Sequence, residues 1–527
     1  MKNIKILDCT LRDGGYINNW NFGKDIICDI VNNLENAGID IIECGFIRPL
    51  LYNDKTSIFS STSEIENIIS PKNSNSMYVA MIELHNYYSD MLDIYNGKSV
   101  DGIRLTFRKN EWVEAKKVGE EIIKKGYKLF IQPVGTCTYS DDELLYLLEE
   151  VNKLKPYAFY LVDTLGMLYR DDVRRFFYLI DNNLARDICI GFHSHNNLQL
   201  SFSNAQELIW LKQKRSIIID TSVYGMGRGV GNLATELFVD YINKNIEQRY
   251  SIIPILNITD KYLMSIYSKH RWGYDLPYFL SAIVKCHPNY ATYLIGKQTM
   301  SIDKIERLLC LIPIKYRDEY NENLIEKLYY DMQNCATDDS IYINKLQEVI
   351  GEKDVLIIGL GSSIEKQASK IKDISQRKNM FVISTNFYSD KFDEDAVFIS
   401  NDKRYKFFEE DKIVPNKILL MTSNLSSESY SNRYVFDYVS LLGEGASADN
   451  AGAMLIRLLK KIGVSKIFLA GFDGFDVDAS LNYFSERYKS DIDFETAKKK
   501  NTEVSRQLKS ALSGMKYEFI TKTKYEI

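Results

Sequence analysis

Short apolar runs alternate with amphipathic stretches through about the first 240 residues of the chain. Most of the stretches between the runs repeat apolar residues at helical spacing, as in residues 25–37, 112–125, 141–154 and 198–211. The runs predict eight strands at residues 4–9, 39–46, 77–82, 102–107, 128–134, 158–163, 188–193 and 216–223. Eight strand–helix units predict a (β/α)8 TIM barrel over residues 1–245.

The pattern changes twice in the second half of the chain. Residues 246–350 lose the strand runs, and segments such as 258–268 and 302–311 predict helices that pack on the barrel mouth or link it onward. A second α/β pattern begins at Asp354 with a strand, a tight glycine turn and a helix start. Further predicted elements are strands at 381–385, 396–400, 417–422 and 466–471, and a helix at 451–462. They predict a Rossmann-like α/β domain over residues 351–527.

Polar and glycine residues follow most of the predicted barrel strands, at the end where such barrels carry their chemistry. His193 and His195 are two residues apart, so on a strand both imidazoles point to one face. The chain has only five histidines, which makes a packing role for this pair hard to justify. With a distant carboxylate from the stretch at residues 8–15 they form a set that suits a divalent cation with open positions: Mn²⁺, Mg²⁺, Co²⁺ or Zn²⁺.

Composition narrows the class of partner. The formal net charge is -5 and there is no basic block, which argues against nucleic acid as the main partner. We find no apolar run of about 18 residues and no room for a signal peptide before the first strand, so no membrane partner is expected. The eight cysteines form no C-x-x-C pair, which indicates reduced thiols and a cytoplasmic protein.

Three motifs resemble the DRE-TIM metallolyases, a superfamily that includes hydroxymethylglutaryl-CoA lyase, isopropylmalate synthase and 4-hydroxy-2-oxovalerate aldolase. The resemblance is greatest to the last of these. It implies that Asp13, His193 and His195 bind the metal, with Asn232 as a candidate fourth ligand. The motifs are Asp8-x-Thr10-Leu11-Arg12-Asp13-Gly14, His193-x-His195-Asn196 and Gly229-Val230-Gly231-Asn232-Leu233-Ala234-Thr235-Glu236.

Such a metal site predicts enolate chemistry on a 2-oxoacid such as pyruvate, whose carboxylate and keto oxygens can chelate the cation. Arg12 would neutralise the developing oxyanion, because a guanidinium stays charged and presents a planar fork of donors. A Schiff-base mechanism would need a lysine at the carboxyl end of a central strand. Lys128 lies at the start of its strand, so a metal aldolase is favoured.

The acid–base residue is left open by the sequence. The oxovalerate aldolases carry a histidine shortly after the Arg-Asp-Gly motif, whereas here Tyr16 occupies that stretch and no histidine precedes His85. Tyr16, His85 and a tyrosine from Tyr274 or Tyr278 are the candidates. The loop at residues 225–229 has no cysteine, which counts against hydroxymethylglutaryl-CoA lyase activity. Glu43, Asp163 and Thr164, at the ends of predicted strands, are candidate substrate-binding or orienting residues.

The second domain offers a weaker set of candidates. Gly359, Gly361, Ser363 and Asn386 are predicted to meet a ligand, with a phosphate at the helix start. NAD is not expected, because the third fingerprint glycine and the acidic residue after the second strand are missing. The domain resembles the family 42 sialyltransferases in residues 359–363, 386–388 and 445–473. Their base is a histidine, and none follows His287, so Asp473 would have to act or the domain only binds a nucleotide-sugar or glycan-like ligand.

These patterns favour a divalent-metal-dependent aldolase or lyase acting next to a 2-oxoacid, in sugar or surface-polysaccharide biosynthesis. Its partners would be a small 2-oxoacid and an aldehyde or sugar, and the resemblance implies a homo-oligomer. Two alternatives stay open: a transferase that condenses an acyl-CoA with a 2-oxoacid, and a non-catalytic binding protein that acts through its second domain.

Overall fold

A computed structural model of the 527-residue chain describes residues 4–51, 53–73, 75–211, 215–389, 391–410, 417–425, 432–443, 450–488 and 492–527. Residues 445–449 of the sialyltransferase-like stretch lie outside the described residues. The chain divides into two compact units. Unit 1 comprises Met1–Thr292 and Pro313–Tyr320, and unit 2 comprises Tyr293–Ile312 and Asn321–Ile527. Residues 246–350, predicted as a helical extension, are therefore shared between the units.

Unit 1 is built on a closed barrel of eight parallel strands, which confirms the predicted (β/α)8 fold. The first strand pairs with both the second and the last, and this closes the barrel. Each predicted run forms a barrel strand whose ends agree to within two residues. The strands are β1 (Ile4–Asp8), β2 (Ile41–Ile47), β4 (Met77–Glu83), β5 (Gly102–Phe107), β6 (Lys128–Pro133), β7 (Ala158–Asp163), β8 (Cys189–Ser194) and β9 (Ile217–Thr221), with the short β3 (Ile58–Phe59) beside β2.

Helices of unit 1 bury one apolar face against the strands, as the spacing predicts. In the helix Lys24–Ala37, for example, Ile27, Ile30, Val31 and Leu34 are buried. The helix Asp141–Leu154 begins at Ser140, whose hydroxyl accepts a hydrogen bond from the Glu143 amide. The helices are α1 (Gly15–Asn18), α2 (Lys24–Ala37), α3 (Thr62–Ile69), α4 (Trp112–Lys124), α5 (Asp141–Leu154), α6 (Arg170–Asn183), α7 (Ser201–Trp210), α8 (Thr235–Asn245), α9 (Ile252–Ile258), α10 (Met264–Lys269) and α11 (Leu276–Val284), followed by α12 (Pro288–Lys297) at the boundary.

The barrel interior changes from apolar to charged along the strands. Leu7, Ile41, Phe130 and Ile218 belong to a buried apolar cluster that fills the inside. Two residues further along three of these strands, the same faces carry Glu43, Gln132 and Asp220, all of them buried. A polar layer therefore lies beneath the carboxyl ends of the strands, where the candidate site is expected.

Unit 2 contains a parallel seven-stranded sheet with buried apolar clusters on both faces, in agreement with the predicted α/β class. The strand order is β14-β13-β12-β11-β10-β15-β16, so the direction of winding reverses between β10 and β15. The strands are β10 (Asp354–Ile358), β11 (Met380–Thr385), β12 (Ala396–Ile399), β13 (Ile418–Thr422), β14 (Arg433–Phe436), β15 (Lys466–Ala470) and β16 (Lys516–Phe519). The helices are α13 (Ile302–Cys310), α14 (Glu322–Gln333), α15 (Ser340–Ile350), α16 (Ser363–Lys366), α17 (Ala368–Ser375), α18 (Asp402–Glu410), α19 (Tyr438–Leu441), α20 (Ala451–Lys461) and α21 (Phe494–Leu512).

Within the described part of the chain, none of these helices combines the length and the apolar character needed to span a bilayer.

Candidate functional site

Asp13, His193 and His195 come together at the carboxyl end of the barrel strands. One ligand atom from each of the three lies within 4.8 Å of the others. His193 belongs to β8 and His195 follows its last residue, while Asp13 lies in the tight turn Thr10–Gly14 after β1. Residues separated by about 180 positions in the chain are thus joined into the cluster that the motifs predict. We call these three residues the Asp-His-His cluster.

The turn that presents Asp13 is braced by buried hydrogen bonds. The Asp8 carboxylate accepts from the Thr10 amide at 3.0 Å and from the Thr235 hydroxyl at 2.6 Å. The Thr10 hydroxyl in turn accepts from the Val223 amide at 2.8 Å. Burial raises the pKa of Asp8 to about 6. Asp8, the first aspartate of the motif, therefore holds the turn in place, whereas Asp13, the second, contributes its carboxylate to the Asp-His-His cluster.

Arg12 is fixed by two carboxylates. Its Nε lies 2.9 Å from Oε2 of Glu43, and its Nη1 lies 2.6 Å from Oδ1 of Asp13. Burial alone would raise the pKa of Asp13, but the positive charge of Arg12 and the neighbouring imidazoles hold it well below its usual range. The Asp13 carboxylate is therefore ionised at neutral pH and can act as an anionic metal ligand.

A second arginine continues the network inside the barrel. Arg104, which is fully buried, donates from Nη1 to Oε2 of Glu43 at 2.7 Å and from Nη2 to Asp220. Asp220 Oδ2 lies 2.9 Å from Nδ1 of His193. Burial would raise the pKa of Asp220, but Arg104 and His193 lower it. An ionised Asp220 fixes the proton on Nδ1 and leaves Nε2 of His193 free to act as a ligand.

The donors of the Asp-His-His cluster fit a divalent cation. Burial lowers the pKa of His195 to about 4 despite the nearby Asp13, so this imidazole is neutral at physiological pH. Asn232 donates its amide hydrogen to Asp13, and its buried Oδ1 has no hydrogen-bond partner among the described residues. Gly227 permits this approach, because a Cβ there would lie 2.6 Å from Nδ2 of Asn232. Two imidazole nitrogens, a carboxylate and an amide oxygen without a hydrogen-bond partner among the described residues form a mixed ligand set of the kind divalent metals accept.

Comparison with known proteins finds similarity over part of the chain. Residues 109–259 match the family model described as HMGL-like. The chain is 27% identical over 248 residues to the oxaloacetate decarboxylase of Mycobacterium tuberculosis, covering 44% of this chain and 68% of that protein. It is 25% identical over 270 residues to the 4-hydroxy-2-oxovalerate aldolase of Pseudoalteromonas translucida, covering 50% of this chain and 76% of that protein.

Among solved structures, the N-terminal domain of a candidate aldolase from Bacteroides vulgatus aligns with 57% of this chain and 99% of its own. The sequence identity is 25% and the TM-score is 0.49.

Asp163 and Thr164, which are predicted to meet substrate, both accept hydrogen bonds from backbone amides. The carboxylate oxygens of Asp163 accept from the amides of Met167 at 3.0 Å and Leu168 at 3.1 Å, and burial raises its pKa to about 6. The hydroxyl of Thr164 accepts from the Gly135 amide at 2.9 Å. Their contacts give them a structural role at the end of β7, whereas Glu43 lies within the charged network.

The acid–base candidates lie in different surroundings. Tyr16, in α1, is 37% exposed and packs against Trp20, with ring centroids 4.7 Å apart. Burial, and next to it the charge of Asp13, raises its pKa. Tyr278 lies against the loop of the third motif, because a Cβ at Gly229 would come within 2.1 Å of its ring. His85 is exposed, and no hydrogen bond among the described residues links it to the Asp-His-His cluster.

Sequence reasoning missed Arg104 and Asp220. The available signal was a charged residue inside a strand that otherwise reads as apolar, since a buried charge requires a partner. Both side chains point into the barrel, since Asp220 lies two residues after Ile218 on its strand and Arg104 pairs with Phe130 of β6.

In unit 2, the helix start that was predicted to bind a phosphate already binds a carboxylate of the chain. Both carboxylate oxygens of Asp473 accept from Ser363, one from its amide at 2.7 Å and the other from its hydroxyl. The helix that Ser363 begins has only four residues. The expectation of a phosphate at this helix start is corrected, because a carboxylate already satisfies it. Gly359, Gly361 and Asn386 do line a cavity of unit 2, which is described below.

Proposed function

We propose that the barrel holds a divalent cation on Asp13, His193 and His195 and breaks or forms a C–C bond next to the carbonyl of a 2-oxoacid. The observation that carries the proposal is the Asp-His-His cluster, whose donor atoms lie within 4.8 Å of one another beside Arg12. A cation bound there would act as a Lewis acid that stabilises negative charge on a substrate carbonyl oxygen.

The two relatives support this chemistry because their substrates share one bond-breaking step. Loss of carbon dioxide from oxaloacetate produces the enolate of pyruvate. Aldol cleavage of 4-hydroxy-2-oxovalerate produces the same enolate. Relatives with these two activities are each similar to about half of this chain, over 248 and 270 residues. Stabilising the pyruvate enolate is therefore the activity that both similarities favour.

The buried charges favour a singly charged carboxylate ligand. The carboxylates of Asp13, Glu43 and Asp220 face the guanidinium groups of Arg12 and Arg104, which leaves one formal negative charge. A divalent cation would change this to one positive charge, and a monoanionic 2-oxoacid would then make the site neutral, which favours a 4-hydroxy-2-oxoacid with one carboxylate over oxaloacetate with two. Neutrality matters here because an uncompensated buried charge is costly.

One nitrogen of the Arg12 guanidinium group, Nη2, is available to donate a hydrogen bond to the substrate. Its Nε and Nη1 are held by Glu43 and Asp13, whereas its buried Nη2 has no hydrogen-bond partner among the described residues. The two fixed contacts define the direction of the third donor. Arg12 is thus preorganised to bind an oxyanion that develops during the reaction.

Oxaloacetate-type decarboxylation is a second candidate reaction, favoured by the acid–base surroundings. Aldol cleavage requires a base that removes the proton of the 4-hydroxyl, whereas decarboxylation does not.

Tyr16 is the acid–base candidate that follows the Arg12 turn directly, and its raised pKa keeps the phenol protonated at neutral pH. A protonated phenol suits the condensing direction, in which it gives its proton to the aldehyde oxygen.

The experiment that tests the function measures pyruvate. The protein is treated with a chelator and then assayed with Mn²⁺, Mg²⁺, Co²⁺ or Zn²⁺ on oxaloacetate and on 4-hydroxy-2-oxoacids, including those with phosphorylated or nucleotide-linked sugar chains. We expect metal-dependent pyruvate release from at least one class, and none from His195→Ala. Metal-independent release, or release that needs an acyl-CoA, would contradict the proposal.

Tyr16→Phe separates the two reactions. We expect about a 10²-fold loss of aldol turnover, the usual contribution of a positioned acid or base, and a loss below about twofold for decarboxylation. The measurement is kcat on each substrate, with Tyr278→Phe as the competing candidate. An equal loss on both substrates, or unchanged aldol turnover, would remove Tyr16 from proton transfer.

A further inference from the structure

Unit 2 contains a cavity of about 650 Å³ that the barrel chemistry does not use. Two glycine turns line it, Gly359–Gly361 after β10 and Gly471–Gly474 after β15. These are the adjacent strands between which the winding of the sheet reverses. Ligands of open α/β sheets bind at the carboxyl ends of the strands at such a reversal, in pockets of about 300–1,000 Å³.

Two cations that line this cavity, Arg404 and Lys500, have no carboxylate partner in the part of the chain that the structure describes. Arg404, in α18, lies 4.6 Å from the ring centroid of Tyr488 and 5.6 Å from that of Tyr483. Lys500, in α21, lies 5.3 Å from the ring centroid of Phe475. Neither forms an ion pair with a carboxylate of the described residues, and burial lowers the pKa of both. Partly buried cations without a counter-charge are unfavourable unless an anion joins them.

The aromatic rings connect the two cations into one wall. The rings of Phe475 and Tyr483 lie 6.3 Å apart in an edge-to-face arrangement, with Arg404 beside Tyr483 and Lys500 beside Phe475. We call Arg404, Phe475, Tyr483, Tyr488 and Lys500 the cationic-aromatic wall. It offers positive charge at two points and aromatic rings beside each of them.

Among the described residues, the acidic side chains that line the cavity form no ion pair with Arg404 or Lys500. Both oxygens of Asp473 are engaged by Ser363. Glu503 accepts from Gln507 at 3.2 Å, and Glu322 and Glu326 are exposed. Side-chain amides of Asn386, Asn401 and Asn482 complete a lining that can form hydrogen bonds.

We propose that this cavity binds a nucleotide, whose phosphate is attracted by the positive charge of Arg404 and Lys500 and whose base packs against a ring of the cationic-aromatic wall. Arginine and lysine are the side chains that recognise phosphate, and aromatic rings stack on nucleobases whatever the base. The phosphate does not lie at the glycine turn, as it would in a dinucleotide site, since Asp473 closes the helix start there.

Calorimetric titration of the full chain tests the proposal, with AMP, GMP, CMP and UMP as probes. The matching nucleosides and inorganic phosphate serve as reference ligands. We expect at least one nucleotide to bind about tenfold or more tightly than its nucleoside and than phosphate, because both parts of the wall contribute. No binding of any nucleotide, or equal affinity for phosphate alone, would overturn the proposal.

Matched variants locate the site. Arg404→Met and Lys500→Met keep the apolar stem and remove the charge, and each should weaken the nucleotide about tenfold. Two control substitutions should leave the nucleotide affinity unchanged. Arg377→Met changes an arginine outside the cavity, 5.6 Å from the ring of Phe468. Lys498→Met changes an exposed lysine of the same helix as Lys500. His195→Ala should also bind normally. Unchanged affinity in both wall variants, with normal thermal unfolding, would overturn the assignment.

Discussion

Asp13→Ala is expected to lose bound divalent metal and to reduce C–C turnover by about 10³-fold or more, since a Lewis acid supplies several kcal/mol of transition-state stabilisation. The substitution removes the only carboxylate of the Asp-His-His cluster. It also removes one of the two anions that fix Arg12. Metal content by mass spectrometry of the dialysed protein and the initial rate of pyruvate release measure the two effects.

The control for Asp13→Ala is Asp90→Ala, which changes an exposed aspartate of the same unit. It should retain both metal and rate. His195→Ala should lose metal as Asp13→Ala does, because both side chains belong to one ligand set. An Asp13→Ala protein with normal turnover and no metal would refute the assignment of the cluster.

Arg12→Lys is expected to lower kcat by about 10²-fold or more, the usual cost of losing an oxyanion donor. A lysine carries its charge on a single nitrogen, so it cannot contact Glu43 and Asp13 and still direct a separate donor at the substrate. The loss should appear mainly in kcat, because the oxyanion develops during the reaction. Steady-state kinetics with the preferred substrate and saturating metal measure it.

Arg174→Lys provides the matched control, since Arg174 is an arginine of the same unit that pairs with Glu207 on the surface. Its kinetics should be unchanged. Near-normal kcat for Arg12→Lys would remove Arg12 from the reaction and leave it a structural role between its two carboxylates.

The barrel could be predicted from sequence because its strands are buried on both faces and appear as apolar runs at regular intervals. The second sheet was predicted less completely. The two edge strands Arg433–Phe436 and Lys516–Phe519 are largely exposed or half-buried, so neither produces such a run. Edge strands carry little hydrophobic signal of their own and are identified only by their neighbours.

The Asp-His-His cluster could be predicted because its members belong to short motifs. Arg104 could not, because it pairs with Glu43 and Asp220, which are 61 and 116 residues away in the chain. The roles of Asp163 and Ser363 could not be predicted from the sequence either. A polar residue at a strand end can face a ligand or hold a turn, and only the hydrogen-bond partners distinguish the two.

The central claim is that Asp13, His193 and His195 share one divalent cation. An anomalous difference map from crystals loaded with Mn²⁺ tests it most directly. The account predicts a peak bonded to the Asp13 carboxylate and to a nitrogen of each imidazole. A map with no peak between these three side chains at saturating Mn²⁺ would contradict it.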